Sequence, residues 1–400
     1  MASDTAQTAQ TLPGTSAARM RERNERLVLT LVRRHVALPK AEIARMTGLS
    51  AQTVSVIMRA LEKDGLLVRG DPVRGKVGQP SIPMMLAADG AFFYGLKIGR
   101  RSADLVLVDF LGRVRGRTQI IHDHPTPDAA ICFAQSAFEM LQAGLGAEAR
   151  ARVAGMGIGL PFQLWDWADA IGLPSAAMAA WKDRDVRAEL QARFAFPVFL
   201  ENDATAACGA ELVFGTQALP ANFLYYYVGY FIGGGVVVNS RLFSGPGGFA
   251  GALGSMQVPH AGGSVQLLEL ASLRPLNEAL RGSAHEGAMW ADPEIWEIDP
   301  SAIAYWLRTA AHGLAYSIAS ATCVTDSDLV VIDGWLPRDI LHRLVAHTNS
   351  ALDAIDLSGI RRPMVQAGTV GPDARALGAA SLPLSRRFLV ESLDDTALGD

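Results

Sequence analysis

Residues 41–67 read AEIARMTGLSAQTVSVIMRALEKDGLL, and the spacing of small and apolar residues here decides the fold of the amino-terminal part of the chain. Ala44, Gly48, Val54 and Ile57 fall where two short helices cross at a tight turn. Ala44 allows close approach, and Gly48 supplies a turn conformation that would strain a residue carrying a Cβ. Leu49 fills the corner. Ser50 stands as N-cap of the second helix, whose apolar stripe is Val54, Ile57, Met58 and Leu61. Gly65 ends that helix as its C′ residue. The face left over carries Ala51, Gln52, Thr53, Ser55 and Arg59, small and polar side chains of the kind that enter a DNA major groove. An ordinary helical hairpin with a solvated outer face has the same pattern, so the surroundings must separate the two.

Those surroundings favour DNA. Between Arg19 and Pro80, 13 Lys or Arg stand against 6 Asp or Glu, a net of +7; the whole chain is −4, which leaves −11 for the rest. A basic module joined to an acidic body suits a DNA-binding domain attached to something else. Upstream, RNERLVLTLVRRH (Arg23 to His35) sets Leu27, Val28, Leu31 and Val32 on one face of a first helix. Downstream, LLVRGDPVRGKVGQPSIPMMLA places two extended segments around a Gly-, Pro- and basic-rich loop, the layout of a wing. Arg69, Arg74 and Lys76 are its expected phosphate contacts, with Gly78-Gln79-Pro80 along the backbone or minor groove. A flexible loop with merely solvated charges is the plain alternative.

With 400 residues, half of them hydrophobic and about a fifth charged, the chain should form two or three globular units. It has no charge-free apolar run of about 18 residues or more, so no membrane span is expected. The opening MASDTAQTAQTLPGTSAARM lacks the basic-then-apolar order of a signal peptide and reads as a disordered leader. Cys132, Cys208 and Cys323 each lie in an apolar helical context, as reduced core residues of a cytoplasmic protein would.

From Ala91 the pattern changes. AFFYGLKIG, ADLVLVDF and RVRGRTQII are strand-like, the last two joined by a turn at Leu111-Gly112. A similar triplet, FLYYYVGYF, GGGVVVNS and RLFSG, returns between Phe223 and Gly245. Two β-meanders, each followed by helical sequence, suggest a duplication: two α/β lobes facing across a cleft, with Gly99 and Gly233-Gly234-Gly235 at it. Between them VAGMGIGLP, RDVRAELQARFA and PVFLEND read strand, helix, strand, and ATAACGAELVFG reads as a small-residue helix. Asn202 and Asp203 end a strand and open that helix, where polar side chains reach a ligand; an Asp that only caps is the alternative. LVVIDG and MVQAGTVGPDARALGAASL complete the second lobe.

Taken in order, these motifs resemble ROK-type transcriptional regulators, which join a winged helix-turn-helix to a body built like a sugar kinase. The resemblance runs from Asn24 to about Leu384, strongest in NERLVLTLVRRH, GLSAQTVSVIMRALEKDGLL, GKVGQPSIPMMLAADGAFFYGLKIG, FPVFLENDATAACGAELVFG, GGFAGALG and AGTVGPDARALGAA. It implies an α/β chain: a winged helix-turn-helix domain followed by a two-lobed actin/hexokinase-like (ribonuclease H-like) body. The implied layout is a leader at 1–18, the DNA-binding domain at 19–88, a first lobe at 89–204 and a second at 205–371. A C-terminal helix at about 372–390 packs back on the first lobe. The implied partners are a double-stranded DNA operator, a sugar or sugar-derivative effector in the cleft, and a second copy of the chain in a homodimer or tetramer. No cofactor and no membrane are expected, and the protein should be a cytoplasmic repressor of carbohydrate-related genes. Operator contacts are expected from Ser50, Ala51, Gln52, Thr53, Ser55, Arg59, Arg74, Lys76 and Gln79.

The departures from the family pattern weigh against a sugar kinase. Where family kinases carry Asp-x-Gly for metal and phosphate handling, this chain has Lys97, which cannot hold Mg²⁺. Tyr230 and Phe231 stand where the second phosphate loop has Thr-Gly, and their bulk should fill the phosphate's space. Gly233 to Gly235 alone are weak evidence for a nucleotide, since glycines also serve close strand packing. The zinc box is reduced to Gly251-Ala252-Leu253-Gly254-Ser255, and HAGGSVQLLELAS replaces the cysteine cluster, so no metal is expected; His260 alone, or His122 with His124, cannot supply about four converging ligands. For the effector the resemblance implies Asn202, Asp203 and a glutamate whose place falls on Glu269 or Leu268, depending on a one-residue gap; Glu269 is carried forward. Trp165, Trp167 and Trp181 lie where an aromatic could stack on a sugar ring or pack in a core. No catalytic residue is expected. A DNA-binding scaffold with an empty cleft is the remaining rival.

Overall fold

The computed structural model describes residues 16–72, 81–167 and 178–390. Arg74, Lys76 and Gln79 lie outside the described residues. Contacts divide the chain into two units, one ending at Ala87 and including Phe388–Val390, the other running from Ala88 to Arg387.

The first unit contains α1 (Ser16–His35), β1 (Ala37–Leu38), α2 (Lys40–Thr47), α3 (Ala51–Lys63), β2 (Leu67–Arg69) and β3 (Met84–Leu86). Its first helix starts earlier than the apolar periodicity from Arg23 required. α2 stops at Gly48, whose φ of 69° is left-handed and whose N–H donates to the Ala44 carbonyl at 3.0 Å. Ser50 then caps α3, its Oγ accepting the Thr53 N–H at 3.1 Å. At the far end Gly65 takes φ 73°, and the Leu66 N–H returns to the Leu61 carbonyl at 2.9 Å, a Schellman closure. Val54, Ile57, Met58 and Leu61 are buried with Ile43 and with Leu27, Val28, Leu31 and Val32 of α1. The three short strands form one antiparallel sheet in the order β1-β3-β2, with Leu67 opposite Leu86, so the arms of the wing are paired. Phe388–Val390 also belongs here. The Arg26 Nε–H donates to the Leu389 carbonyl at 2.8 Å, and the Val390 N–H donates to Thr30 Oγ1 at 3.0 Å.

The second unit opens with β4 (Phe92–Ile98), β5 (Ser102–Asp109) and β6 (Val114–Ile121), then α4 (Pro127–Ala143), β7 (Val153–Gly159) and β8 (Val198–Glu201). It continues with α5 (Asp203–Phe214), β9 (Phe223–Val228), β10 (Gly233–Val238), β11 (Arg241–Leu242) and the hairpin β12 (Gln257–His260) and β13 (Gly263–Gln266). α6 (Pro300–Thr325), β14 (Leu329–Gly334), α7 (Arg338–Leu352), β15 (Met364–Ala367) and α8 (Ala374–Phe388) complete it. The strands make two five-stranded sheets, β6-β5-β4-β7-β8 and β11-β10-β9-β14-β15. In each an antiparallel meander is extended by two parallel strands, so the duplication read from the two meanders is present as topology. β4 and β9 are buried at every position because both faces of each central strand are covered, and both read as continuous apolar runs.

α8 lies against the first sheet through glycines. A Cβ on Gly157 would sit 1.8 Å from the Ala379 carbonyl oxygen, and one on Gly95 would sit 2.2 Å from that of Ala376. On the helix's other side Gly378 meets the Ala206 carbonyl of α5 in the same way, at 1.9 Å. One cysteine, Cys208, is buried as expected, but Cys132 and Cys323 are exposed: each sits on the solvent side of an amphipathic helix whose apolar neighbours hide its orientation in sequence.

Two buried carboxylates shape the turn after β15. Asp333 accepts the N–H groups of Gly334 and Gly371, each at 2.9 Å, and Glu211 accepts those of Thr369 and Val370. Burial pushes the Asp333 carboxyl up to about 6 from its ordinary 3.8, with the backbone donors only partly opposing it. A raised folded-state pKa means that its stabilising contribution is complete below about pH 4 and is lost as the pH rises through 6. Asp333→Asn cannot ionise, so melting curves should show the variant gaining on the parent protein between pH 4 and pH 6; a constant gap across that range would refute the assignment.

Candidate functional site

Two places in the molecule present side chains that packing does not explain. The first is the outer face of α3. Ala51, Gln52, Val56 and Arg59 are exposed, Thr53 and Ser55 half-buried, while the opposite stripe fills the core. The Ser50 and Thr53 hydroxyls bond each other at 2.8 Å, so both are engaged in the cap, leaving Gln52 as the free amide of the first turn. Arg59 lies back along its own helix, its Nε–H donating to the Ser55 carbonyl at 3.1 Å. Val56, which belongs to neither the apolar stripe nor the polar set read from the sequence, is exposed as well. Its side chain faces solvent one turn after Gln52, where a methyl group can meet a thymine methyl. Arg69, expected on phosphate, is ion-paired to Glu62 at 2.7 Å on the surface.

The second place is a cavity of about 140 Å³ in the body, far above the roughly 10–15 Å³ that one water needs. The end of β8 and the start of α5 form one wall. Asn202 is the N-cap of α5, its side-chain oxygen accepting the N–H groups of Ala204 and Thr205 at 3.1 and 3.3 Å. Capping therefore falls mainly to Asn202. The buried Asp203 carboxylate touches its own helix only at Ala204 and turns its other oxygen to Arg375 Nη1 at 3.3 Å. Arg375 reaches in from the first turn of α8, its guanidinium 4.9 Å from the Tyr227 ring centre. Arg100, from the turn after β4, lies 4.5 Å over the Phe231 ring. Burial pulls the Arg100 guanidinium down to about 10, with the Asp203 carboxylate opposing that shift and the Arg375 charge adding to it. Phe162 and Phe249 pack edge to face at 6.0 Å on the cavity lining, and Gln163 beside them holds a left-handed φ of 53°.

The kinase-like positions are occupied by other chemistry. Lys97 does not line the cavity: its ammonium donates to Asp104 Oδ2 and Ser102 Oγ in a buried pair, both at 2.7 Å. Phe231 lines the cavity, and Tyr230 packs beside it and near Trp290. The Gly233–Gly235 run serves packing: Cβ atoms there would strike Ala204, Leu253 and Cys208 at 2.6, 2.6 and 2.4 Å. The box from Gly251 to Ser255 forms part of the floor through Gly251, Ala252, Gly254 and Ser255. Glu269 is not at the cavity. It pairs with Arg274 on the outside, and Leu268 lines the wall instead, because adjacent residues of a helical turn point in different directions. Trp181 is buried, its indole N–H donating to the Pro125 carbonyl at 2.9 Å, and neither Trp165 nor Trp167 lines the cavity. His122 contacts the Gly99 carbonyl at 2.9 Å, and His260 is exposed on β12. Among the described residues no three His, Cys, Asp or Glu side chains converge as a metal site, and no helix is long and apolar enough to cross a membrane. Sequence reasoning missed Arg100 and Arg375; the only signal was an arginine at each of two Gly-rich turns, far apart in the chain.

Comparison with known proteins agrees with both units. The model of the ROK family matches residues 93–386, and that of a winged helix-turn-helix DNA-binding domain matches residues 21–68. The chain is 27% identical to the uncharacterized protein y4fQ of Sinorhizobium fredii over 371 residues, 91% of each chain. It is 25% identical to the xylose repressor of Bacillus subtilis over 244 residues, 60% of this chain and 61% of that one. Among solved structures, a ROK family transcriptional regulator described as a homolog of E. coli MLC protein superposes with a TM-score of 0.67 at 18% identity, covering 94% of this chain and 98% of the other. A ROK family glucokinase from Streptomyces griseus superposes with a TM-score of 0.57 at 20% identity, covering 73% of this chain and 99% of the other. At these identities the superpositions establish the fold.

Proposed function

The chain belongs to the ROK family, and from that membership we propose that it is a cytoplasmic, DNA-binding transcriptional repressor of carbohydrate-related genes. In this reading α3 reads a double-stranded operator, and a sugar or sugar derivative binds in the cavity around Asn202 and Asp203. The observation that carries it is the exposed Gln52, Val56 and Arg59 face on a capped, fully packed helix of a winged helix-turn-helix unit. Similarity to xylose repressors supports a repressor role with a sugar-type signal. Lys97 locked to Asp104 and Phe231 standing in the cavity oppose kinase chemistry, which requires an open phosphate loop and a metal-binding carboxylate.

Gln52 and Thr53 are assigned to base edges, Ser50, Ala51, Ser55 and Arg59 to bases or flanking phosphates, and Arg74, Lys76 and Gln79 to the wing's backbone contacts. Two copies in a homodimer, or four in a tetramer, would present paired reading helices to a two-fold symmetric operator. For an effector to regulate, it must bind DNA-competent and incompetent arrangements with different affinity. The chain itself offers a covalent route for that coupling: Arg375 is in the first turn of α8, and the last residue of α8, Phe388, belongs with Leu389 and Val390 to the amino-terminal unit.

The test is a mobility-shift titration of the full-length protein on the intergenic DNA beside its own gene. Binding should be specific and weaken steeply with salt, as several phosphate contacts require. No binding to any intergenic fragment at low salt would sink the repressor reading. Transfer of phosphate from ATP to a hexose by the same preparation would overturn the non-enzymatic role.

A further inference from the structure

The cavity lining changes character from one wall to another. Asn202 and Asp203 put polar groups at the start of α5. Two loops, one from each five-stranded sheet, supply aromatic rings instead. Phe162 follows β7 of the first sheet, Phe249 follows β11 of the second, and both line the cavity. Their ring centroids lie 6.0 Å apart and their planes meet at 79°, so the pair makes an apolar corner rather than a flat platform. Phe249 is 51% exposed, which packing in a core does not explain.

The loop that carries Phe249 is shaped to hold it there. Gly245, Gly248 and Gly251 take left-handed φ values of 72°, 77° and 87°, and the Ala250 N–H donates to the Ser244 carbonyl at 3.0 Å. The Ser244 hydroxyl donates to Glu201 Oε2, at the end of β8, at 2.6 Å, which ties this loop to the first sheet. A Cβ on Gly248 would come 2.8 Å from the Phe162 ring, so only a glycine lets the two loops meet. Across from it, Gln163 beside Phe162 keeps its left-handed φ of 53°. Such a conformation is costly for a residue with a Cβ, and conformations of this kind cluster at ligand sites.

Building on the sensor reading above, we propose that Phe162 and Phe249 set the specificity of the cavity. The effector is a glycoside whose sugar hydroxyls meet Asn202 and Asp203 and whose apolar aglycone, aryl or alkyl, lodges in the corner between the two rings. A bare sugar can lay the C–H face of its ring on one phenyl group. It then leaves the second ring without an apolar partner and presses hydroxyls against carbon, with nothing to replace their water. An aglycone fills the corner with carbon and leaves the hydroxyls to the polar wall. Because the two rings come from different sheets, the aglycone touches both loops at once, and its binding favours the arrangement in which they are together.

The experiment is a thermal-shift and DNA-release assay on the full-length protein. The probes are xylose, glucose and galactose, each as the free sugar, the methyl glycoside and the phenyl glycoside, in both anomers. For at least one sugar, a glycoside should raise Tm and release DNA at a concentration about tenfold or more below that of the free sugar. Whether the phenyl or the methyl compound acts at the lower concentration tells an aryl from an alkyl aglycone. Phe249→Ala and Phe162→Ala should each erase the glycoside's advantage, and Phe249→Trp should keep it. Phe243→Ala is the matched control: that ring is 50% exposed, stands next to the same loop and lies off the cavity lining, so its loss should leave the advantage intact. If Phe162→Ala fails to fold, the exposed Phe249 carries the comparison alone. Free sugars acting at concentrations equal to or below those of their glycosides would overturn the aglycone assignment and leave the sensor standing. An advantage untouched by Phe249→Ala would do the same. Response to none of the compounds would overturn the sensor reading itself, and with it this proposal.

Discussion

Gly157→Val should abolish cooperative folding of the body. A Cβ at Gly157 would lie 1.8 Å from the Ala379 carbonyl oxygen and 2.7 Å from its carbon, both backbone atoms of α8. No rotamer change relieves such a clash; the helix must move. It cannot do so alone, because Gly95 fixes it against the neighbouring strand and Gly378 fixes its other face against α5, at similarly short range. Overpacking that side-chain motion partly absorbs costs about 1–3 kcal/mol. A backbone shift propagated through three contacts exceeds that, against a total stability of roughly 5–15 kcal/mol for a domain. Gly263→Ala is the matched control, since the nearest atom to a Cβ there is 3.9 Å away and its effect should stay within about 0.5 kcal/mol. All seven tryptophans lie in the body, so intrinsic fluorescence in a denaturant titration reports on this unit. A Gly157→Val protein with a midpoint near that of the parent would show that α8 does not rest on the sheet as described. Because α8 also carries Arg375, the same contacts that hold the body together fix one side of the cavity.

What could be read from sequence, and what could not, follows from the range of the interactions. The helix pair was readable because its determinants are local: a left-handed Gly48, a Ser50 cap, a C′ glycine at Gly65, and apolar residues repeating along α3. The two meanders were readable from strand-like runs and their turns, and their repetition gave the duplicated lobe. The cavity was half readable. Asn202 and Asp203 mark it because a strand ending in polar residues before a helix is a local pattern. Arg100 and Arg375 meet only once the two lobes and α8 are assembled, and nothing near either residue announces the other. Glu269 failed for a smaller reason: one residue of register along a short helix exchanges a cavity-facing side chain for an ion-paired surface one. Val56 stands four residues after Gln52 and three before Arg59, so helical spacing puts it on the wet face, and only its apolar chemistry sets it apart from the polar residues there. The docking of Leu389 and Val390 on Arg26 and Thr30 carries no sequence signature, since most of its bonds use main-chain atoms.

The double substitution Gln52→Ala with Arg59→Ala should cost about a hundredfold in operator affinity and far less on unrelated DNA. Gln52 is the exposed amide of the first turn of α3, and a Gln that reads adenine through paired hydrogen bonds contributes about 1–3 kcal/mol of discrimination. Arg59 would contribute a similar amount from a guanine or phosphate, less about 1 kcal/mol for releasing its bond to the Ser55 carbonyl. Together that is on the order of 3 kcal/mol, or about two decades, at 1.4 kcal/mol per decade. Stability should not fall, because neither side chain supports the cap or the buried stripe and alanine is the best helix former. Wing substitutions should behave differently. Arg74→Ala and Lys76→Ala remove proposed phosphate contacts, so each should weaken binding to all sequences and lower the salt slope by about one unit. Anisotropy titrations on the operator and on a scrambled duplex, at several salt concentrations, separate the two patterns. If the α3 variant lost affinity equally on both duplexes, α3 would be gripping the backbone, and sequence reading would have to lie elsewhere in the amino-terminal unit. If it bound the operator as tightly as the parent protein, α3 would not be the reading element at all.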